Sequence, residues 1–342
     1  WEAGGVRVRH RVDDRIQGAY PCFYGGGGSC AFDRAKFLEL GGFDPLLAPF
    51  YLEDTDLGFM AWKRGWKVLY EPRSVVWHEH RGTIGRRFTP SYIQSVLKKN
   101  FLLFVWKNIH GWPRLAAHFA WTWAGAVVSV LLGDSPERPN LAGIWRAFVQ
   151  LPRAVRSRTS ALRMAEIDDQ EAFARPMGGW FRDSFETLPA QPDVLNVLFV
   201  SPYPICPPVH GGGVFMYQTI RELARLCRLH LLVLLDHAWE REAHQELEQI
   251  CASVEYLVRV EGRPKAFASI VPHSVREFAN DDLRWAIHRA ILFNRIDVLQ
   301  LEYTNMGQYA GRFRQIPSVL FEHDIYFQSV GRALGRMRGV QR

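Results

Sequence analysis

Cysteine is scarce in this chain and follows no pattern. The five residues, Cys22, Cys30, Cys206, Cys227 and Cys251, are odd in number and lack any C-x-x-C spacing. A disulfide framework and a zinc site are thereby excluded, and a reducing compartment fits. The amino terminus lacks the charged-then-apolar layout of a secretory signal, and it begins at Trp1 rather than Met, as expected of a fragment or processed product. No compositional bias marks disorder or a fibrous class, since 48% of residues are hydrophobic and 23% charged. At 342 residues the chain is expected to hold two domains, because single cores rarely grow past about 250 residues.

Acid is outnumbered. Asp and Glu total 35 against 42 Lys and Arg, a formal charge of +7, and the basic residues concentrate at Arg81 to Arg87 and Arg146 to Arg163. Such patches favour anions: phosphorylated substrates, anionic lipid head groups or nucleic acid. A nucleic-acid partner is not expected, because neither cluster sits in a recognisable binding motif.

Against this background one acidic stretch stands out, Phe50-Tyr51-Leu52-Glu53-Asp54-Thr55-Asp56-Leu57, at the start of a helical pattern that ends at Gly65. Carboxylates favour the first turn of a helix, where free N–H groups meet negative charge. A carboxylate fixed there beside a cleft is also placed to take a proton from a hydroxyl. Upstream lie Gly25-Gly26-Gly27-Gly28-Ser29-Cys30, where bare backbone can approach a ligand, and a short helix over residues 32–40 stopped by Gly41-Gly42. Downstream, strands are expected over residues 66–70 and 74–77, the second delivering His78-Glu79-His80. Two histidines one residue apart can share a metal or can be ordinary surface or core side chains.

Taken together, Gly25 to Phe32, Gly41-Gly42-Phe43-Asp44, Leu52 to Leu57, Arg64-Gly65-Trp66-Lys67-Val68 and Val76-Trp77-His78 resemble the C-terminal half of a family 2 glycosyltransferase, a GT-A domain. The resemblance implies inverting transfer of a sugar from a nucleotide-sugar donor to an acceptor hydroxyl. It implies Asp54 as base with Glu53 beside it, Gly26, Gly27, Gly28 and Ser29 as a loop at donor or acceptor, and a divalent metal, Mg2+ or Mn2+, held with help from His78 and His80. Only 52 residues precede Glu53, and they hold Asp13-Asp14 but no D-x-D, so the donor site is expected upstream of Trp1.

Residues 95–109 read as a helix rich in apolar and basic side chains, Lys98, Lys99 and Lys107 among them, and residues 115–132 contain His118 as the single readily ionised side chain. A spanning helix needs about 20 apolar residues, so three readings stand: a membrane-surface helical pair, a buried soluble helix, or a true span. Basic residues flank both sides and choose no orientation, while Trp106, Trp112, Trp121 and Trp123 suit an interface. Residues 153–192 mix charge, glycine and proline and read as a linker with one short helix near 168–173.

From residue 194 the pattern becomes alternating strand and helix, the mark of a doubly wound, mostly parallel sheet. Strands are expected over 194–200, 229–235, 254–260, 298–301 and 319–321, and helices over 215–227, 240–251 and 282–294. Asp236 ends the second strand, where a dinucleotide's ribose acid would sit, but Gly211-Gly212-Gly213 follows a ten-residue, proline-rich loop and is not G-x-G-x-x-G. Val197-Leu198-Phe199-Val200-Ser201-Pro202-Tyr203-Pro204, His210-Gly211-Gly212-Gly213 and Glu222-Leu223-Ala224 resemble the N-terminal domain of a family 4 glycosyltransferase, a GT-B fold. The resemblance implies that Gly211, Gly212 and Gly213 lie near donor phosphates without a metal of their own, with His323 and Asp324 at the cleft. That family's donor domain, with its E-x-7-E region, has no counterpart before Arg342.

The expected architecture is therefore α/β: a partial, Rossmann-like GT-A domain at 1–95, a basic amphipathic helical connector at 96–165, a linker at 166–192 and a GT-B N-terminal domain at 193–342. The expected function is hexosyl or deoxyhexosyl transfer in bacterial cell-surface polysaccharide synthesis, cytoplasmic, at the inner face of the plasma membrane. The expected partners are a nucleotide-sugar, a glycan or lipid-linked acceptor and a peripheral membrane contact. A non-catalytic, membrane-associated scaffold is the rival, favoured by the missing donor motifs, which would also leave this piece inactive by itself.

Overall fold

The structure is a computed structural model of the whole chain, and it describes residues 1, 4–8, 11–77, 84–135, 139–188, 193–259 and 273–323. It divides into two compact units, residues 1–176 and 177–342.

In the first unit, β1 (Tyr20–Pro21) pairs antiparallel with β2 (Leu69–Tyr70). Between them run α1 (Arg34–Glu39), capped by the Asp33 carboxylate on the Lys36 amide, and α2 (Glu53–Lys63). Residues 74–77, expected as a strand, form none: Val75, Val76 and Trp77 are exposed, and this short apolar run finds no ladder there. His78 and His80 lie outside the described residues. After α3 (Ile84–Arg87) comes α4 (Pro90–Asn108), started by Thr89 as N-cap with proline at the first helical position. It is followed by α5 (Trp112–Leu132), α6 (Leu141–Val149), α7 (Leu151–Met164) and α8 (Asp169–Ala174). The core holds Leu47, Phe59, Trp62, Leu103, Phe104 and Ile109, all nearly inaccessible to solvent.

α4 differs from the basic surface helix its composition suggests. Lys98, Lys99 and Lys107 are buried, and each has a partner: Asp134, the Ala48 carbonyl, and the Asp44 and Asp56 carboxylates. Buried charge is tolerated only when paired, so these lysines are internal clasps. Among the described residues α5 alone is long and apolar enough to cross a membrane, judged by length and composition.

The second unit opens with α9 (Gly178–Phe185), where the sequence suggested linker. Gly179 is the reason: an added Cβ would lie 2.8 Å from His288 Nδ1 and 3.1 Å from both Ile291 and Phe313, so the glycine lets α9 pack closely. Then follow β3 (Asn196–Ser201), α10 (Gly211–Leu226), β4 (Arg228–Leu235), α11 (Gln245–Ile250), β5 (Ser253–Val258), α12 (His273–Glu277), α13 (Asp281–Phe293), β6 (Val298–Glu302) and β7 (Ser318–Phe321). The helix expected over 240–251 is two pieces, a 3-10 turn at Ala238–His244 and then α11.

All five strands, in the order β5-β4-β3-β6-β7, are parallel, and the sheet is doubly wound. Alternate residues enter two different cores. Leu198, Val200, Leu232, Leu234, Leu299 and Leu301 meet Ile287 and Ile291 of α13, while Val197, Phe199, Leu231 and Val233 meet Met216 and Ile220 of α10. Burial on both faces is why the central strands β3 and β4 read as nearly continuous apolar runs rather than alternating ones.

Candidate functional site

The first candidate site is built on α2. Asp54, Gly58 and Trp62 recur every four residues and so lie along one side of the helix. Segment 22–27 runs against that side. The Trp62 indole donates to the Cys22 and Phe23 carbonyls, at 3.1 and 3.2 Å. An added Cβ on Gly58 would fall 2.6 to 2.8 Å from Tyr24 and the Phe23 carbonyl, so only glycine admits the strand of chain that crosses there. Held at these two points, the glycine run reaches the helix start, and the Gly27 amide donates to Asp54 Oδ2 at 3.2 Å. The second Asp54 oxygen accepts from the Thr55 amide and hydroxyl, at 2.6 and 3.2 Å. Ser29 closes the run as a turn, its amide donating to the Gly26 carbonyl, while Gly27 and Gly28 are exposed.

The helix start is strained. Tyr51 and Leu52 hold φ of 70° and 73°, and Leu52 is the N-cap without any side-chain cap. Such residues cost of order 1–3 kcal/mol each and persist only where the surroundings over-determine them. Here Asn100 of α4 does so: its amide donates to the Leu47, Phe50 and Tyr51 carbonyls, at 2.6, 3.0 and 2.9 Å.

The three carboxylates have three different surroundings. Asp56 is 1% exposed and bonds Lys107 Nζ at 2.7 Å and the Asn108 amide at 2.6 Å. Burial works against the Lys107 charge, but Asp56 and Asp44 outweigh it and the lysine is held above its ordinary range. Glu53 is half-buried, and its Oε2 has no hydrogen-bond partner among the described residues. Burial, with Asp54 adding to it, pushes Glu53 up. Asp54 is the carboxylate that meets the glycine run, and after burial its charge contributes to raising Tyr24 and Cys30. Its Oδ2, with one amide bond, keeps lone-pair capacity for a further donor.

In the second unit the candidate site lies at the carboxyl ends of β3, β6 and β7, where strand order reverses and open α/β sheets bind ligands. His210 caps α10, its Nδ1 accepting from the Gly213 amide at 3.1 Å. A Cβ on Gly212 would collide with the Tyr303 hydroxyl, so the middle glycine is what lets the tyrosine reach the helix start. Tyr303, at φ 69°, stacks on His323 with ring centres 4.1 Å apart. His323 Nε2 lies 2.7 Å from Glu302 Oε2, and Gln300 donates to the other Glu302 oxygen at 2.7 Å. Glu302 is fully buried, and desolvation raises it despite both partners. Gly212 and His323 thus meet through Tyr303; Asp324 lies outside the described residues. Asp236 pairs with Arg259 at 3.4 Å.

Several of these residues escape sequence reasoning. For Gly58 and Trp62 the signal that could have found them is their four-residue spacing from Asp54. Asn100, Tyr303 and Glu302 carried no local signal. Among the described residues no group of three His, Cys, Asp or Glu side chains is placed to hold a metal. Family models, curated proteins and solved structures offer no match to this chain.

Proposed function

We propose that the chain is the central part of a two-module glycosyltransferase, a GT-A C-terminal half followed by a GT-B N-terminal domain. The observation that carries it is the Asp54 carboxylate, fixed at the start of α2 by its own turn and by the Gly27 amide, with bare glycine backbone in front of it. A positioned carboxylate of this kind serves a direct displacement. As the acceptor oxygen attacks the anomeric carbon, its proton passes to Asp54 Oδ2, the bond to the nucleoside diphosphate breaks, and configuration inverts. Glu53 stands beside Asp54 with a buried oxygen that has no partner among the described residues, and burial together with the Asp54 charge raises it. In the second unit the glycine-opened helix at the sheet's reversal point suits a phosphate-bearing ligand, with Tyr303 and His323 on the same side.

The divalent metal belongs to this proposal on the family resemblance. His78 and His80 are outside the described residues, and among the described residues Asp54 and Glu53 do not by themselves make a metal site. The cellular setting goes with the same reading: a nucleotide-sugar donor, a glycan or lipid-linked acceptor, and the cytoplasmic face of the plasma membrane.

The test uses the full-length gene product with a panel of sugar nucleotides. Asp54→Asn is expected to lower transfer by the first module about 10²- to 10⁴-fold while donor binding stays near wild type. Unchanged turnover sinks the assignment of the base. Failure of the full-length protein to bind any sugar nucleotide favours the scaffold reading, which the exposed apolar face of α5 to α7 supports.

A further inference from the structure

α5 is built inside out. A helix on a water-soluble unit buries its apolar stripe and shows its polar one. The buried residues of α5 are His118, Thr122, Ala126 and Ser129, its polar and small stripe at spacings of four, four and three. His118 and Ser129 are satisfied within the unit: His118 Nδ1 is 2.7 Å from the Gly4 carbonyl, its Nε2 accepts from the Trp106 indole at 3.2 Å, and the Ser129 hydroxyl donates to the Pro139 carbonyl at 3.0 Å. The apolar side faces outward, with Trp121 57%, Val130 65%, Leu131 74% and Leu132 76% exposed.

The outward face continues into the next two helices. Phe119 of α5 and Phe148 of α6 both contact Trp106 of α4, at ring distances of 6.4 and 5.3 Å, so α5 and α6 flank one site. α6 exposes Leu141, Trp145, Phe148 and Val149, a complete amphipathic stripe on the outside, and α7 adds Leu151, Val155 and Leu162. Arginine accompanies it. From Trp112 to Gly133 and from Pro139 to Ala165 the sequence has no Asp or Glu, while Arg153, Arg156 and Arg163 stand exposed on α7.

We infer that the α5–α6–α7 face docks on an anionic lipid bilayer, lying in the interface plane. An outward apolar face bearing tryptophan, beside cationic side chains and on helices that carry no acid, matches acyl chains beneath negative head groups. α5 is tied to the unit near both ends, at Gly4 and at Pro139, so it lies along the surface rather than leaving it. A second copy of the chain is a poorer occupant, because a two-fold contact would set two acid-free arginine clusters beside each other. The inference stands whether or not the chain transfers sugars.

The experiment sediments the purified chain with large vesicles of phosphatidylcholine, alone or mixed with phosphatidylglycerol, at low and high salt. The chain is expected on the mixed vesicles at low salt, with weaker binding at high salt. Arg153→Gln and Arg163→Gln should each weaken binding roughly fivefold, the effect of about 1 kcal/mol per basic residue at an anionic surface. Val130→Glu combined with Leu131→Glu should weaken it about tenfold or more, with an unchanged circular dichroism spectrum because both positions are exposed. Val209→Glu, an exposed control in the second unit, should bind as wild type. Absence from mixed vesicles at low salt overturns the inference. So does binding that the double variant leaves intact, or a lipid-free dimer that the double variant dissolves and that ignores vesicles.

Discussion

Asp54 and Asp56 are two positions apart and do unrelated work. The Asp54 oxygens meet backbone amides and a hydroxyl near the surface, whereas Asp56 neutralises a buried lysine. Breaking a buried pair by removing one partner costs about 3–5 kcal/mol. Asp56→Asn should therefore lower unfolding free energy in urea by about that amount, while Asp54→Asn should change it by about 1 kcal/mol or less. Equal losses would contradict the division of roles. In the sequence these carboxylates were legible as a cluster at a helix start, and Glu53 and Asp56 together as its electrostatic cap. What separates Asp56 from Asp54 is Lys107 and Asn108, some fifty residues downstream, and no local pattern announces a partner at that distance. The same holds for Asn100, whose amide gathers three carbonyls of a turn it does not adjoin.

At the scale of elements, α2 depends on being bare at Gly58. Gly58→Ala pushes a methyl into the Tyr24 backbone, and overpacking of this kind costs about 1–3 kcal/mol. Thermal unfolding should show the loss, and it should be absent at Gly27→Ala, whose Cβ meets nothing. The contact of α9 with α13 carries a pH signature. His288 is buried, accepts the Gly179 amide at 3.1 Å, and is pushed down to about 3 by burial and then by Arg284. Between pH 6.5 and about 3 the unfolded chain holds a proton on this histidine that the folded chain excludes. Stability is thus fully present above pH 6.5 and declines as pH falls, by up to about 1.4 kcal/mol per pH unit. Urea titrations of His288→Asn should show a shallower decline across that window. β3 and β4 of the second unit were legible because burial on both faces leaves nearly unbroken apolar runs, whereas β5, β6 and β7 were legible as short β-branched and aliphatic segments between helical patterns. The strand expected over 74–77 had β-branched and aromatic residues but no ladder to join. α9 was hidden behind a glycine pair that resembles a linker until its packing partners are known.

For the whole molecule, the sequence pattern indicated α/β character and a parallel sheet near the carboxyl end, and the sheet is there in full. The middle of the chain was the least legible part. Lysines at 98, 99 and 107 look like a basic surface when their partners at 134, 48, 44 and 56 are unknown, and the actual apolar surface belongs to the helices after them. The outward apolar face spans three helices and no single residue defines it, so vesicle binding should fall in steps as residues on different helices are changed.

α4 takes part in both faces of the first unit. Asn100 grips the turn ahead of Asp54, and six residues on, Trp106 bears on Phe119 and Phe148 beneath the outward apolar surface. Six residues of helix are about 9 Å of axis and about one and two-thirds turns, so the two side chains point about 120° apart around the axis. The two duties therefore share one rigid rod with no flexible joint between them, and a displacement imposed at one is delivered to the other as a mechanical load.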